Sequence, residues 1–330
     1  MGRTARWRGL CVALLVAASP AVAHADDSLR VLFIGNSYTR FNDLPAMVEA
    51  AADSVPEGPR LQAERETHGG YNLRRHWRVE RVRDLVANGG FQRVVLQPHS
   101  LSPLNETDEL SEYAARFQAH ASAAGADVVL FQTWARHPES PAYRRLDVDD
   151  ATAMNARIET VYSRLGEALD APVAPVGDAW RRALTEDPEL ELHRDDGTHP
   201  AVTGTYLSAL VLYGTLTGVD PRRVEWRHWQ IPRRRAARIR QIAAETLGYG
   251  DEVALPDEAA ASRVQPADPL PNELSVELEA SEDAPDDEVE NEAARDGVDP
   301  AAVDAEEDIA VRRDEPATED ASPPALVSDE

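Results

Sequence analysis

Three residues at the two ends of one stretch of chain could together cleave an ester. An apolar run, residues 31–34, stops at Gly35-Asn36-Ser37-Tyr38-Thr39, and far downstream comes Asp196-Gly197-Thr198-His199-Pro200. A serine hydroxyl is a weak nucleophile at neutral pH. It needs an imidazole to take its proton and a carboxylate to fix the imidazole tautomer. Ser37, His199 and Asp196 supply one of each. Ser37 follows a strand-like run and precedes a helix-like one, so its hydroxyl is expected at a sheet edge, where exposed backbone N–H groups could also hold an oxyanion. His199 precedes a proline, which favours the first turn of a helix. Asp196 can fold back to the imidazole through the flexible Gly197. Each motif alone has a plainer reading: Ser37 as a helix cap, Asp196 as a turn residue and His199 as a surface imidazole.

The elements that must position these groups alternate. Strands are expected over 30–34, 61–64, 93–97, 127–132 and 173–176. Helices are expected over 44–52, 73–88, 108–124, 149–169, 201–217 and 233–247. Such alternation implies right-handed crossovers and a parallel sheet covered on both faces, an α/β three-layer sandwich of about five strands. Ligands in open sheets of this kind sit beyond the carboxyl ends of the strands. Those ends are followed by residues 35–39, 67–70, 98–102, 133–137 and 177–180, where many polar and aromatic residues collect.

The block around Ser37 is not G-x-S-x-G, because Thr39 stands where the second glycine belongs, so an α/β-hydrolase elbow is disfavoured. The two motifs together resemble the SGNH hydrolases, also called GDSL-type esterases and lipases, over residues 29–218. Asn36 stands where that superfamily more often has Asp, and Asp196-x-x-His199 is intact. The resemblance implies a flavodoxin-like fold with Ser37 as nucleophile, His199 as general base and Asp196 as the orienting acid. It also implies an oxyanion hole from the N–H groups of Ser37 and of a glycine in His68-Gly69-Gly70-Tyr71-Asn72, with Gly70 preferred. The third block departs: G-x-N-D is expected, but the chain reads Leu96-Gln97-Pro98-His99-Ser100. Gln97 is expected to offer its side-chain amide in place of the missing asparagine. The departure resembles a bacterial branch with GNS in the first block and L-Q-x-x-S in the third.

Asn36, Tyr38 and Trp134 are candidates to line the substrate, with Trp134 and Trp180 also readable as core packing. His99 and His137 flank the expected site. A metal hydrolase built on His193, Asp195, Asp196 and His199 is an alternative, since imidazole and carboxylate at that density suit Zn²⁺ or Mn²⁺. No paired-histidine element accompanies them. A surface or carbohydrate-binding protein on the same fold, without catalysis, is a further alternative. The triad chemistry itself calls for no cofactor and no metal, and for a small-molecule or glycan ester as its partner.

Residues 1–25 read as a secretory signal: arginines at 3, 6 and 8, an apolar middle, and Ala23-His24-Ala25 as a cleavage site. A secreted or periplasmic bacterial protein is therefore expected, with no integral membrane segment after cleavage. Cys11, the sole cysteine, lies inside that signal, which excludes disulfides and thiol catalysis from the mature chain. The net charge of −25 is unevenly spread. Residues 251–330 hold 27 acidic residues against 4 arginines, which leaves a net of −2 for residues 1–250. That tail has no Phe, Trp or Tyr and reads as a disordered acidic arm after a single hydrolase domain spanning 26–250. Neither part concentrates positive charge as nucleic-acid binding requires. All 34 basic residues are arginine, and runs such as Arg233-Arg234-Arg235 are read as solvated helix faces.

Overall fold

The computed structural model describes residues 28–250. The expected signal segment and acidic tail lie outside the described residues. Five parallel strands form the sheet: β1 (Leu29–Gly35), β2 (Leu61–Thr67), β3 (Arg93–Leu96), β4 (Asp127–Phe131) and β5 (Val173–Ala174). Their order is β2-β1-β3-β4-β5. Parallel strands require crossovers, and helices on both faces bury them, so the central strands are apolar on both sides. Alternation then sorts the residues. Val31 and Phe33 face one layer with Val95, Val129 and Phe131. Leu32 and Ile34 face the other with Val94, Leu96, Val128 and Leu130.

The helices are α1 (Ser37–Arg40), α2 (Leu44–Asp53), α3 (Leu73–Arg78), α4 (Glu80–Asn88), α5 (Ser102–Asn105), α6 (Thr107–Ala123), α7 (Ala151–Leu169), α8 (Val176–Glu186), α9 (Val202–Thr217) and α10 (Arg233–Thr246). The first core layer is completed by α2, α8, α9 and α10, the second by α3, α4, α6 and α7. This is the expected α/β sandwich. Chain order reverses at β1, whose neighbours β2 and β3 lie on opposite sides. The crevice between the carboxyl ends of β1 and β3 is thus the switch point at which such sheets bind ligands. Among the described residues no helix is long and apolar enough to cross a membrane.

Several elements differ from expectation: β5 ends at Ala174 where a strand to 176 is expected, and the short α5 is not expected at all. The helix expected over 73–88 is broken at Val79, whose ψ of 114° is extended, so α3 and α4 are separate. Residues 177–180, expected as a loop, are the first turns of α8. Gly177 permits this, because a Cβ there would collide with the Thr133 carbonyl at the end of β4.

Candidate active site

At the end of β1 the chain turns sharply into α1. Asn36 caps that helix, its Oδ1 accepting from Tyr38 N at 3.0 Å, while its Nδ2 donates to Tyr71 O at 3.4 Å. Asp at this position could cap equally well but could not donate to Tyr71. The side chain therefore joins the serine turn to the loop that carries Gly70. Gly35 is required just before it: a Cβ would strike Thr39 Oγ1 and Gln97 Oε1. Ser37 opens α1, so its N–H is among those a helix start leaves without an intrahelical acceptor.

Ser37 Oγ lies 2.9 Å from His199 Nε2, and His199 Nδ1 lies 2.9 Å from Asp196 Oδ2. The residues span 162 positions in sequence yet form one hydrogen-bonded chain. Ser37 is 7% exposed and His199 5%. The Asp196 turn is a narrow ribbon in which His193 bridges Pro200, Arg194 N donates to His199 O at 2.8 Å, and Gly197 takes φ of 69°. Asp196 Oδ1 accepts from Thr198 N and His199 N, both at 2.8 Å. Burial alone would raise its carboxyl pKa. The two N–H groups and the imidazole outweigh that and hold it below the ordinary value.

The loop after β4 clamps this ribbon. Trp134 Nε1 donates to Thr198 O at 3.1 Å, and His137 N to Gly197 O at 2.8 Å. The His193 Nε2–H donates to Ala135 O at 3.0 Å. Beneath the site the rings of Trp180, Trp134 and Tyr38 form a continuous stack, with centroids 4.0 and 4.3 Å apart. Tyr38 then meets His199 edge-on at 5.8 Å. Tyr38 Oη is held by Thr198 Oγ1 and by Arg136, which also reaches Ser100 Oγ at 3.2 Å. Serine turn, third block and histidine ribbon are thereby locked together.

Several expected roles change. Asn36, Tyr38 and Trp134 are 2%, 3% and 1% exposed, so they support the site from below and do not line it. Trp180 is core, its indole N–H bonded to Ser208 Oγ. Gln97 does not aim its amide N–H₂ at the serine. Its Oε1 accepts from Asn36 N and Thr39 Oγ1, each at 2.9 Å, and its Nε2 donates to Pro98 O. The Asn36 N–H can only donate, which fixes which end of the amide is oxygen. Gln97 is a buried brace that shapes the turn in front of Ser37. The metal alternative is not assembled. His193 spends its Nε2 on Ala135 O, both His199 nitrogens are in the serine-to-aspartate chain, and among the described residues no three potential ligands converge. Gly70, with φ of 64°, sits in the turn closed by Tyr71 N to His68 O, beside the serine turn. A positive φ is a conformation that glycine tolerates and most residues do not.

Two residues near the site escaped the sequence reading. Phe41 lies 4.6 Å from the His199 ring and is half-buried. It is placed by consecutive left-handed residues, Asn42 (φ 52°) and Asp43 (φ 51°). An Asn-Asp pair tolerates that conformation better than most residues, which is the signal that could have revealed the kink. His76, on α3, is fully buried and its Nε2–H donates to Gly35 O at 2.8 Å. The same carbonyl accepts from His68 N, so the ends of β1 and β2 are tied together behind Ser37.

Burial lowers the His76 pKa to about 4, with the Gly35 bond opposing and His68 assisting, and burial likewise lowers His193 to about 4. A histidine depressed on folding is protonated first in the unfolded chain. Its contribution is complete above about pH 6.5 and is lost as pH falls from there towards 4. For His76 the loss should approach about 3 kcal/mol. Urea-unfolding midpoints measured across this range should fall, and His76→Gln, which keeps an N–H for Gly35, should flatten the fall. An identical slope in both proteins would exclude His76 as a source.

The geometry defines a class: an α/β protein with a serine, histidine and aspartate in register at the carboxyl edge of a parallel sheet. The fold and the arrangement of these three residues are similar to those of the SGNH hydrolase superfamily. The chain shares 25% identity with a protein from Slackia heliotrinireducens assigned as an SGNH hydrolase, with a TM-score of 0.51 over 57% of this chain and 99% of that one. A DUF4886 family protein from Bacteroides uniformis has the same fold at 20% identity and a TM-score of 0.57, over 69% and 98% of the two chains. The sequence matches no protein-family model and no curated protein.

Proposed function

We propose that the chain is a secreted serine hydrolase that cleaves a short-chain carboxylic ester. The observation that carries the reading is the Ser37–His199–Asp196 chain, with both links at 2.9 Å. In the first step His199 Nε2 takes the Ser37 proton as Oγ bonds to the ester carbonyl carbon. The resulting oxyanion is held by the N–H groups of Ser37 and Gly70. The carbon–oxygen bond to the alcohol then breaks, and the imidazolium returns the proton to the departing oxygen. Water, deprotonated by the same imidazole, releases the acid and restores Ser37. The likeness to a protein assigned as an SGNH hydrolase supports ester hydrolysis. Secretion rests on the character of residues 1–25.

A direct test treats the mature protein with an alkyl fluorophosphonate and maps the adduct by mass spectrometry, alongside hydrolysis of 4-nitrophenyl esters of increasing acyl length. The expected result is one adduct on Ser37, with turnover greatest for acetate and insensitive to chelators. No adduct and no turnover would overturn the reading in favour of a binding protein. Turnover abolished by chelators would overturn it in favour of a metal hydrolase.

A further inference from the structure

The groups beside His199 bear on the alcohol half of the substrate, because the imidazole that receives the serine proton must hand it to the leaving oxygen. Phe41 is one such group. Its N–H bonds back to Ser37 O, and its ring lies 4.6 Å from the imidazole, tilted by 37°. Two left-handed residues follow it at a cost of about 1–3 kcal/mol each. Asn42 holds the strained turn down by donating to Pro200 O at 3.0 Å and Thr205 Oγ1 at 2.8 Å. Strain of this kind persists where the surroundings fix a position, and here it fixes a half-exposed ring against the catalytic histidine.

Arg194 completes the surface. Its backbone N–H bonds to His199 O at 2.8 Å, and its guanidinium carbon lies 4.8 Å from the Phe41 ring centroid. The residue is exposed. Two carboxylates from the flanking segments are bonded to other groups. Asp43 pairs with Arg65 at 2.6 Å, and both oxygens of Asp196 serve the triad ribbon. Asp195, its exposed neighbour in sequence, is not paired with it, and among the described residues Arg194 enters no ion pair. An aromatic ring beside the leaving oxygen, with a guanidinium over it that enters no ion pair among the described residues, suits a ring bearing an anion.

We propose that Phe41 and Arg194 form the leaving-group subsite, and that the preferred ester has an alcohol half consisting of a ring with a carboxylate, as in an acylated uronic acid or hydroxybenzoate. The inference rests on the ester-hydrolase reading above. It is tested with 4-acetoxybenzoate and the neutral 4-acetoxybenzamide, each kcat/KM being divided by the ester's own hydroxide-catalysed rate. The full-length protein should favour the anion about fivefold at low ionic strength, the size of one partly exposed charge pair, and the preference should shrink at high salt. Arg194→Gln should bring the ratio to about one, and Arg194→Glu should invert it. The ratio is internal to each protein, so a partly folded variant still reports. An equal ratio in wild type and Arg194→Gln, or no preference in wild type, overturns the subsite. No hydrolysis of either ester by the wild type would instead overturn the hydrolase reading beneath it.

Discussion

Ser37→Ala should cut the turnover of 4-nitrophenyl acetate by about 10⁴-fold or more while leaving the protein folded. The asymmetry follows from what the hydroxyl touches. Ser37 Oγ makes its hydrogen bond with His199 Nε2, and the turn that carries it is braced by other groups: the Asn36 cap, the Gln97 Oε1 bonds and the His76 bond to Gly35. Losing one hydrogen bond of this kind should cost about 1 kcal/mol, or roughly 2–4 °C in a domain of this size. On the proposed mechanism the chemistry loses its attacking atom, whereas the proposed oxyanion donors remain. Circular dichroism melting and steady-state kinetics on the same preparation separate the two effects. A turnover within tenfold of wild type would remove Ser37 from the mechanism.

How much of this was legible in the sequence depends on the range over which each signal acts. The strand before Ser37 was plain because a short apolar run with β-branched and aromatic residues, ending at a glycine, suits burial on both faces of a sheet. The Asp-x-x-His turn was plain because its partners are three residues apart. Helix α8 was legible in principle: Val176, Ala179, Trp180 and Ala183 recur at i, i+3, i+4 and i+7. Gly177-Asp178 masked that period by resembling a turn. The break at Val79 carries neither glycine nor proline, and the local sequence gives no reason for it. Gln97 shows a different limit. Its residue type suits an oxyanion donor, but which end of an amide faces the serine depends on a backbone N–H 61 positions away. Chemistry alone cannot supply that orientation. The aromatic stack under Tyr38 is non-local in the same way, since Trp134 and Trp180 reach it from the ends of β4 and the start of α8. Their residue types left both readings open, and burial decided for packing.

Asp196→Asn should be nearly as damaging as loss of the nucleophile, and the reason can be traced atom by atom. Asp196 Oδ1 accepts from two backbone N–H groups, those of Thr198 and His199. In the variant the amide oxygen must take that place, because an N–H₂ facing two N–H donors would leave all of them unpaired. The amide nitrogen then occupies the position of Oδ2, 2.9 Å from His199 Nδ1, and presents a donor where the wild type has an acceptor. His199 Nδ1 must give up its proton to accept that bond, and the proton moves to Nε2. Nε2 then donates to Ser37 Oγ and can no longer receive its proton. The imidazole is still in place but is the wrong tautomer, which should lower kcat by about 10⁴-fold with KM little changed. The backbone bonds that shape the ribbon persist, so the melting temperature should move far less than the rate. A variant that retained kcat within tenfold, with His199 still beside Ser37, would show that Asp196 only shapes the turn and does not set the protonation of the base.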